Sequence, residues 1–440
     1  MTYPILPDYA GIIEKITEYG RLKHEYGAKD VEKLLKAAET ALKSVLAQLQ
    51  SMPADPLLEQ KEPNDLKTVR LLRSSGPRKL WDRLEKPLYR DKLEGALLSR
   101  LAGCTLGAIV EFWSVEDMAD WAKYIGDAFP PVDYWSKIPS PHKLRYQEDP
   151  AIISANIAYT RDVMNGVPID DDIVYTLLGL MTVEEFGNEF TTEDVGKAWM
   201  KYLPVGCTAE AAALANLKAG IPALQAADTN NPYCQWIGAD IRADPFAYMA
   251  PAYPEKAAEM AYYDAYLSHR RNGIYGAMFF AAAQAAAFAV DNPVDALKIG
   301  LTEIPGECAL YKDVVWALSA GKELNNYKDA RAAYDERFKG MSGVHTNNNA
   351  CLTIFGLMLG GTDVTKVLSE TVAMGMDNDC TTATAGSIVG AIAGKKGMPP
   401  HWYKGFNNKV YSYLLGHEVF YIDQLLERFT LQAEKVYGLR

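Results

Sequence analysis

The chain is a succession of helix-length apolar segments, and this pattern constrains its fold more than any other feature. Such segments alternate with Gly-, Pro- and Asn-rich turns and include KLEGALLSRLAGCTLGAIVEFW, IISANIAYTRDVM, DIVYTLLGLM, AEAAALANLKAG, PEKAAEMAYYDAYLSH and ACLTIFGLMLG. No convincing run alternates as a strand would, and no solenoid repeat period is present. The many small residues let neighbouring helices approach closely. The sequence therefore predicts an all-α, multi-helix globule.

The N-terminal part of the chain has a different organisation. Residues 30–50 carry apolar residues at helical spacing, with Asp30 placed as an N-cap, and the breaker-rich stretch SMPADPLLEQKEPND follows. We expect residues 1–90 to form a helical extension and linker, and residues 91–440 to form the catalytic domain. Two roles for the extension stay open, covering the site or mediating oligomerisation, and the oligomeric state is open as well.

Composition excludes several classes of protein. With 49 % apolar and 23 % charged residues in a chain of 440, the composition is that of a soluble globular protein. A formal charge of −11 disfavours nucleic acid as the partner. The N-terminus lacks the pattern of a secretory signal, and the longest apolar run, at 277–290, is too short to span a bilayer. Six cysteines without zinc spacing indicate reduced thiols. We expect a cytoplasmic protein that binds no membrane.

Two acidic clusters carry the chemistry. Asp170-Asp171-Asp172 runs into IVYTLLGLM, and Asp377-Asn378-Asp379 runs into CTTATAGSIVGAIAG. Aspartate is a favoured N-cap and each cluster begins a helix, but a cap needs only one carboxylate. Five carboxylates beside apolar helices repel one another unless a cation offsets them, and Mg²⁺, Mn²⁺ and Ca²⁺ prefer oxygen ligands. The clusters predict a divalent-metal site.

Three segments in fixed order resemble the signature of a known family. The order is EGALLSRLAGCTLGAIVE (94–111), IDDDIVYTLLGL and MGMDNDCTTATAGSIVGAIAG. These look like the motifs of the ADP-ribosylglycohydrolase family, also called the dinitrogenase-reductase-activating glycohydrolase family, over roughly residues 90–415. The resemblance implies an all-α fold with two Mg²⁺ or Mn²⁺ ions in a central cleft; Ca²⁺ also fits such ligands. It further implies cleavage between a ribose anomeric carbon and a protein side chain or small leaving group.

The resemblance assigns roles to residues of these segments. The family's Gly-rich helix ends in a glutamate four positions after a glycine, and Glu111 stands four positions after Gly107 here. Glu111 is implied to face the metals and to position or deprotonate the attacking water. The implied metal ligands are Asp170, Asp171, Asp172, Asp377 and Asp379. Two of them, Asp172 and Asp379, are also implied to be catalytic.

The sequence departs from the family pattern at two positions. The first motif of the family begins with threonine where this chain has Asp170, and its second motif continues with threonine or serine where this chain has Cys380. A thiol is a poor ligand for Mg²⁺. Two explanations stay open: the charge of Asp170 compensates for the lost hydroxyl, or Cys380 turns away and leaves a ligand role to Thr381 or to water. The departures indicate a divergent branch.

Polar and aromatic residues elsewhere complete the expected site. The stretches at 231–251, 262–279 and 344–350 resemble that branch. Taken singly, each polar residue in them is typical of a loop or core group that the backbone satisfies. Aromatic rings could stack on a base or sugar face. The predicted substrate-binding residues are Trp113, Tyr175, Arg242, Asp244, His269, Asn272, Tyr275, His345 and Asn348.

The sequence therefore predicts a metal-dependent glycoside hydrolase that cleaves the anomeric bond of an ADP-ribosyl or related furanosyl substrate. Two alternatives stay open. One is a non-catalytic, metal-dependent binder of ADP-ribose or sugar on the same fold. The other is a class I terpene or prenyl synthase, which also places acidic motifs across a Mg²⁺ cleft. Against the latter, Gly386 stands where its second motif needs a glutamate, and neither Val174 nor Tyr175 supplies an acid to the first.

Overall fold

The structure, a computed structural model, describes residues 3–4, 6–137 and 158–439. The chain divides into two compact units, Met1–Gln60 and Lys61–Arg440, so the division lies nearer the N-terminus than the boundary expected at residue 90. Of the helical segment predicted at 152–164, residues 152–157 lie outside the described residues. Residues 158–164 form turns and not a helix.

The first unit contains two long helices. Helix α1 spans Tyr9–Glu25 and α2 spans Val31–Ser51, which confirms the helix predicted at 30–50. Asp30 precedes α2 as expected, but it has a left-handed backbone (φ 63°) and its side chain makes no capping hydrogen bond. Among the described residues of this unit only Gly20 is buried, whereas apolar side chains such as Leu42 are exposed. A short helix, α3 (Pro56–Lys61), reaches the division between the units.

The second unit is built from helices of six to twenty-two residues, apart from one short turn of helix near its C-terminus. Its α-helices are α4 (Leu66–Leu72), α5 (Lys86–Gly107), α6 (Val115–Ile125), α7 (Asp171–Phe186), α8 (Thr192–Tyr202), α9 (Thr208–Lys218), α10 (Asp244–Met249), α11 (Pro254–Ala265), α12 (Asn272–Ala287), α13 (Pro293–Leu301), α14 (Ala309–Ala320), α15 (Tyr327–Arg337), α16 (Thr346–Gly360), α17 (Val364–Ala373), α18 (Asn378–Ala393), α19 (His401–Lys404) and α20 (Ile422–Val436). Short 3₁₀ helices span Ala108–Val110, Ala223–Gln225, Ile237–Arg242 and Lys395–Gly397.

One small sheet corrects the expectation of a chain without strands. Strands β1 (Lys409–Leu414) and β2 (His417–Tyr421) form an antiparallel hairpin, with Val410 opposite Phe420. The buried positions of β1 include Ser412, and this polar residue on the inner face conceals the alternation of apolar and polar side chains in the sequence. The part of the chain that the structure describes is nonetheless mostly helical, at 63 % of its residues.

The centre of the second unit is α12, in which every residue is buried. The apolar run at 277–290 therefore begins in a buried helix. Helix α12 packs against α11, α13, α16 and α18. The stretch Lys86–Val110 is long and apolar enough to cross a membrane by length and composition alone, but 89 % of its apolar window is buried inside the protein. A buried core helix passes the same test.

Residues 61–85 belong to the second unit because charged side chains hold them there. Glu303 is buried and pairs with two arginines of this stretch, Arg73 and Arg78, the latter at 2.7 Å. Arg73 also contacts Glu255 of α11 at 2.5 Å. A buried carboxylate with two guanidinium partners is strongly destabilised when those partners are lost. These contacts place the stretch against the helical core.

Helices α5 and α18 lie in backbone contact. A Cβ atom added at Gly95 would lie 2.4 Å from the carbonyl oxygen of Gly390, and one added at Gly103 would lie 2.3 Å from that of Thr382. At Gly107 it would lie 2.5 Å from Cα of Asp379. No side chain fits at such separations, so glycine is required for the two helices to approach this closely. The C-terminal end of α5 is thereby held at the N-terminal end of α18.

We expect Gly103→Ala to lower the free energy of unfolding by about 2 kcal/mol or more, because the added methyl group meets backbone that cannot rotate away. Urea denaturation measures the change. Gly306→Ala is the matched control, because the nearest atom to its Cβ would be 3.8 Å away, and it should change stability by less than about 0.5 kcal/mol. Equal effects at both positions would contradict the backbone contact.

Candidate metal centre

Three distant segments of the chain bring their acidic side chains together. Ligand atoms of Glu111, Asp377 and Asp379 lie within 4.8 Å of one another, as do those of Asp172, Asp379 and Cys380. Oxygens of the sequence Asp170 to Asp172 form a third such group. Asp379 and Asp172 each belong to two groups, so the groups join into one cluster. All five predicted aspartate ligands and Glu111 therefore meet in one place.

The position of Glu111 follows from two facing turns. The 3₁₀ turn Ala108–Val110 ends α5, and Glu111 comes next with an extended backbone. The amide of Phe112 then donates a 2.8 Å hydrogen bond to the carbonyl of Met376, just before α18. Gly375 has a positive φ of 72° and lies so close to the carbonyl of Trp113 that a Cβ would be 2.8 Å from it. The paired turns set Glu111 beside Asp377.

The two acidic clusters differ in how they begin their helices. The carboxylate of Asp170 accepts a 3.1 Å hydrogen bond from the amide of Asp172, which is a capping contact at the start of α7. Asp377 precedes α18 in the same way, but its side chain makes no capping hydrogen bond. Capping therefore accounts for part of the first cluster and not for the second.

The cluster carries more negative charge than the surrounding protein offsets. Asp172, Asp377 and Asp379 are buried, and Oδ1 of Asp172 and Oδ1 of Asp377 have no hydrogen-bond partner among the described residues. Burial raises the pKa of Asp172 and of Asp377 well above the usual value, and the nearby charge of Asp379 raises both further. Buried acceptors without donors fit a bound cation. The donor set of carboxylate oxygens suits one or two divalent ions.

Arg100 supports the cluster, and the sequence alone gave no role to it. This buried guanidinium donates to the backbone carbonyls of Asp172 and Ile241 at 2.8 and 2.7 Å. It pairs with Asp244 at 2.9 Å and lies 3.9 Å from Oδ1 of Asp172. Asp244, expected to bind substrate, thus has an arginine partner inside the protein. Arg100 is the one charged residue between Glu94 and Glu111, and this isolated charge in an apolar segment is the signal that could have revealed it.

Cys380 faces the cluster and Thr381 does not. The sulfur of Cys380 lies 3.2 Å from Oδ2 of Asp172, and burial together with that carboxylate raises the pKa of the thiol. The hydroxyl of Thr381 donates to the backbone carbonyl of Asp377 at 3.0 Å. Of the two explanations for the lost hydroxyl, the one in which Cys380 turns away does not describe the structure.

A second buried network surrounds Arg242. Its guanidinium contacts Glu210 at 2.5 Å, Asp264 at 2.6 Å and the hydroxyl of Ser268 at 3.0 Å. That hydroxyl lies 2.8 Å from Nδ1 of His269, whose pKa burial and Arg242 lower well below the usual value. Burial raises the pKa of Glu210 to about 7 although Arg242 opposes the shift. Two predicted substrate-binding residues, Arg242 and His269, therefore belong to one internal network.

Two aromatic residues that were predicted to bind substrate, Tyr175 and Trp113, differ in their burial. Tyr175 is buried, with its ring centre 5.8 Å from that of Trp199 and 5.6 Å from the guanidinium carbon of Arg242. Its ring faces thus contact protein. Trp113 is partly buried and lies two residues after Glu111, packed against the hydrophobic core. Trp113 lies close in sequence to the acidic cluster, as does Tyr175, which comes three residues after Asp172.

Residues 62–64 contact two further residues that were predicted to bind substrate. The side chain of Asn272 donates to Glu62 at 3.0 Å and accepts from the amide of Leu310 at 3.0 Å. The hydroxyl of Tyr275 donates to the carbonyl of Pro63 at 2.5 Å. Arg271 pairs with the same Glu62 carboxylate. The sequence gave no indication of this contact, because its partners are more than two hundred positions apart.

The remaining predicted residues lie at the start of α16. Nδ1 of His345 accepts a 3.1 Å hydrogen bond from the amide of Asn347, which caps the helix, and burial lowers the pKa of His345 to about 4. The side-chain amide of Asn348 donates to the hydroxyl of Tyr334 at 3.0 Å and to the backbone carbonyl of Ser342 at 2.8 Å. Both side chains therefore have structural partners.

The fold of this chain is found in a solved structure. A solved structure described as an "ADP-ribosylglycohydrolase-related protein complex" is similar with a TM-score of 0.51 and 16 % identity, covering 80 % of this chain and 99 % of that one. At this identity the similarity shows the fold alone. No curated protein has significant sequence similarity to the chain.

The sequence model of a protein family covers most of the second unit. The model described as ADP-ribosylglycohydrolase matches residues 85–435, which include Glu111 and both acidic clusters. The chain therefore belongs to the ADP-ribosylglycohydrolase family.

Proposed function

We propose that the protein is a metal-dependent glycoside hydrolase that cleaves the anomeric bond of an ADP-ribosyl or related furanosyl substrate. The observation that carries the proposal is the convergence of Glu111 with Asp172, Asp377 and Asp379 in one buried cluster. Membership of the ADP-ribosylglycohydrolase family, whose members are hydrolases, supports this reaction.

The chain's own carboxylates would hold two divalent cations, Mg²⁺ or Mn²⁺ in the family. Asp379 belongs to two of the ligand groups, so Asp172, Asp377 and Asp379 would hold the ions together. Divalent cations bound there supply Lewis-acid polarisation and lower the pKa of bound water. The backbone contacts of Arg100 hold the start of α7, and therefore Asp172, in position.

Glu111 is proposed as the proton acceptor. It is half-buried, and its carboxylate lies within 4.8 Å of oxygens of Asp377 and Asp379. A carboxylate oxygen of Glu111 would orient the attacking water and take its proton. The negative charge of the surrounding aspartates would stabilise the positive charge that develops on the sugar ring in an oxocarbenium-like transition state.

Three observations bear on the alternatives. The family assignment supports a hydrolase over a terpene or prenyl synthase. The exchange of the family's hydroxyl for the thiol of Cys380 is the feature that favours a non-catalytic binder, because activity is lost where ligands change. Glu111, which a binder does not need, favours catalysis.

We expect Asp379→Asn and Asp172→Asn each to lower glycosidic cleavage by at least about a hundredfold, because each removes a charged ligand from the cluster. The assay follows release of products from ADP-ribosylated peptides, ADP-ribose derivatives and aryl furanosides with Mg²⁺ or Mn²⁺. A chelator should abolish activity, and added metal should restore it.

Asp423→Asn is the matched control for these two variants. Asp423 is likewise an aspartate in the first turn of a helix, but it is exposed. Its replacement should leave activity unchanged. If Asp379→Asn and Asp172→Asn retain both their metal content and full cleavage, the proposed function is wrong.

Glu111→Gln separates binding from chemistry. The amide keeps the size of the side chain but cannot accept a proton from water, so we expect turnover to fall about 10²- to 10⁴-fold while metal content stays the same. Single-turnover kinetics and elemental analysis measure the two effects. Full turnover in this variant would show that Glu111 is not the proton acceptor.

A further inference from the structure

Cys380 gives the cluster a sulfur atom among its oxygens. Ligand atoms of Cys380, Asp172 and Asp379 lie within 4.8 Å of one another, and all three residues are buried. A separate observation also fits a bound cation, because Oδ1 of Asp172 is buried without a hydrogen-bond donor among the described residues, and Arg100, 3.9 Å away, is already paired with Asp244. A buried carboxylate oxygen in that situation is costly unless a cation satisfies it.

We propose that Cys380 binds one ion of the centre as a thiolate, together with Asp172 and Asp379, and makes this position select Zn²⁺ over Mg²⁺. The inference rests on the metal centre of the proposed function but not on the reaction. Zinc accepts thiolate and carboxylate ligands together, whereas Mg²⁺ demands oxygen ligands. The chain thus differs from the Mg²⁺ or Mn²⁺ preference that the family resemblance implies.

The distance between the two ligand atoms suits a shared ion. Zinc binds sulfur at about 2.3 Å and carboxylate oxygen at about 2.0–2.2 Å, so neighbouring sulfur and oxygen ligands lie about 3.1–3.6 Å apart in octahedral or tetrahedral geometry. The sulfur of Cys380 and Oδ2 of Asp172 are 3.2 Å apart. Their separation therefore falls within the range for two ligands of one zinc ion.

The binding step balances without any redox partner. In the structure the S–H group of Cys380 donates to Oδ2 of Asp172. Binding of the ion forms a metal–sulfur bond, breaks the S–H bond with both electrons left on sulfur, and releases the proton to solvent. Nothing is oxidised or reduced.

The contacts of the other side chains make Cys380 distinct. Thr381, the next residue, commits its hydroxyl to the carbonyl of Asp377. Cys351 is equally buried, but its sulfur contacts the backbone carbonyl of Asp313 at 3.5 Å, and Cys308 caps α14 by accepting from the amide of Tyr311. Among the cysteines of the described residues, Cys380 is the one whose sulfur belongs to a group of carboxylate ligand atoms that lie within 4.8 Å of one another.

Titration of the metal-free 440-residue protein with Co²⁺, a spectroscopic substitute for Zn²⁺, tests the proposal. A cobalt–thiolate bond gives a charge-transfer band in the near ultraviolet. We expect the band in the wild type and in Cys351→Ser, the buried-thiol control, and its loss in Cys380→Ser. A wild-type complex without the band, or a band that persists in Cys380→Ser, would overturn the inference.

Competition between Zn²⁺ and Mg²⁺, followed by elemental analysis, measures the preference. Cys380→Thr restores the hydroxyl of the family motif and should bind Zn²⁺ about tenfold or more weakly while keeping its affinity for Mg²⁺. An unchanged ratio of affinities would argue against thiolate selection.

X-ray absorption of the Zn²⁺-loaded wild type keeps the test decisive if the Cys380 variants fail to fold. We expect one sulfur neighbour at about 2.3 Å from zinc, and a shell of oxygen and nitrogen alone would overturn the proposal. The spectra are independent of hydrolysis. A sulfur-bound ion in a protein without glycosidase activity would refute the proposed function only, whereas activity with an all-oxygen site would refute the role of Cys380 only.

Discussion

Backbone contact between α5 and α18 is the constraint on which the centre depends. Glycines at 95, 103 and 107 of α5 face the backbone of α18, which itself contributes glycines at 386 and 390. Each glycine costs a helix about 1 kcal/mol relative to alanine, so the sequence accepts a local penalty along both helices. The close approach compensates for that penalty by holding the end of α5 at the start of α18. Glu111 and the second acidic cluster become neighbours only because of it.

The same packing brings carboxylates into a region with little water, and Arg100 shows how the charge is handled. Its guanidinium could neutralise the cluster, but it pairs with Asp244 at 2.9 Å and lies 3.9 Å from Asp172. Two of its remaining donors go to backbone carbonyls, and Nε donates to the hydroxyl of Thr176. Because Asp244 already balances the charge of Arg100, the cluster keeps an excess of negative charge. Arg100 therefore orders the start of α7 without competing with a cation for the carboxylates.

Local signals in the sequence were sufficient for part of the helical pattern and for the two acidic clusters. Apolar periodicity predicted α2, and the resemblance to the family implied that Glu111 and the aspartates would meet. Interactions between distant residues left no such signal: Glu62 contacts Arg271 and Asn272 across two hundred positions. The predicted substrate-binding residues illustrate the limit, because a polar residue in a conspicuous motif can equally be satisfied by a partner inside the protein. Most of them have such partners here.

Helical geometry, and not ligand chemistry, decides which residue after Asp379 meets the cluster. Successive residues of a helix point about 100° apart, so Cys380 and Thr381 cannot both face Asp172. Thr381 lies one turn after Asp377 and donates to its carbonyl, as threonine in a helix often does. That leaves position 380 directed at Asp172. A substitution there changes a ligand of the centre directly, and the neighbouring hydroxyl cannot replace it without distorting the first turn of α18.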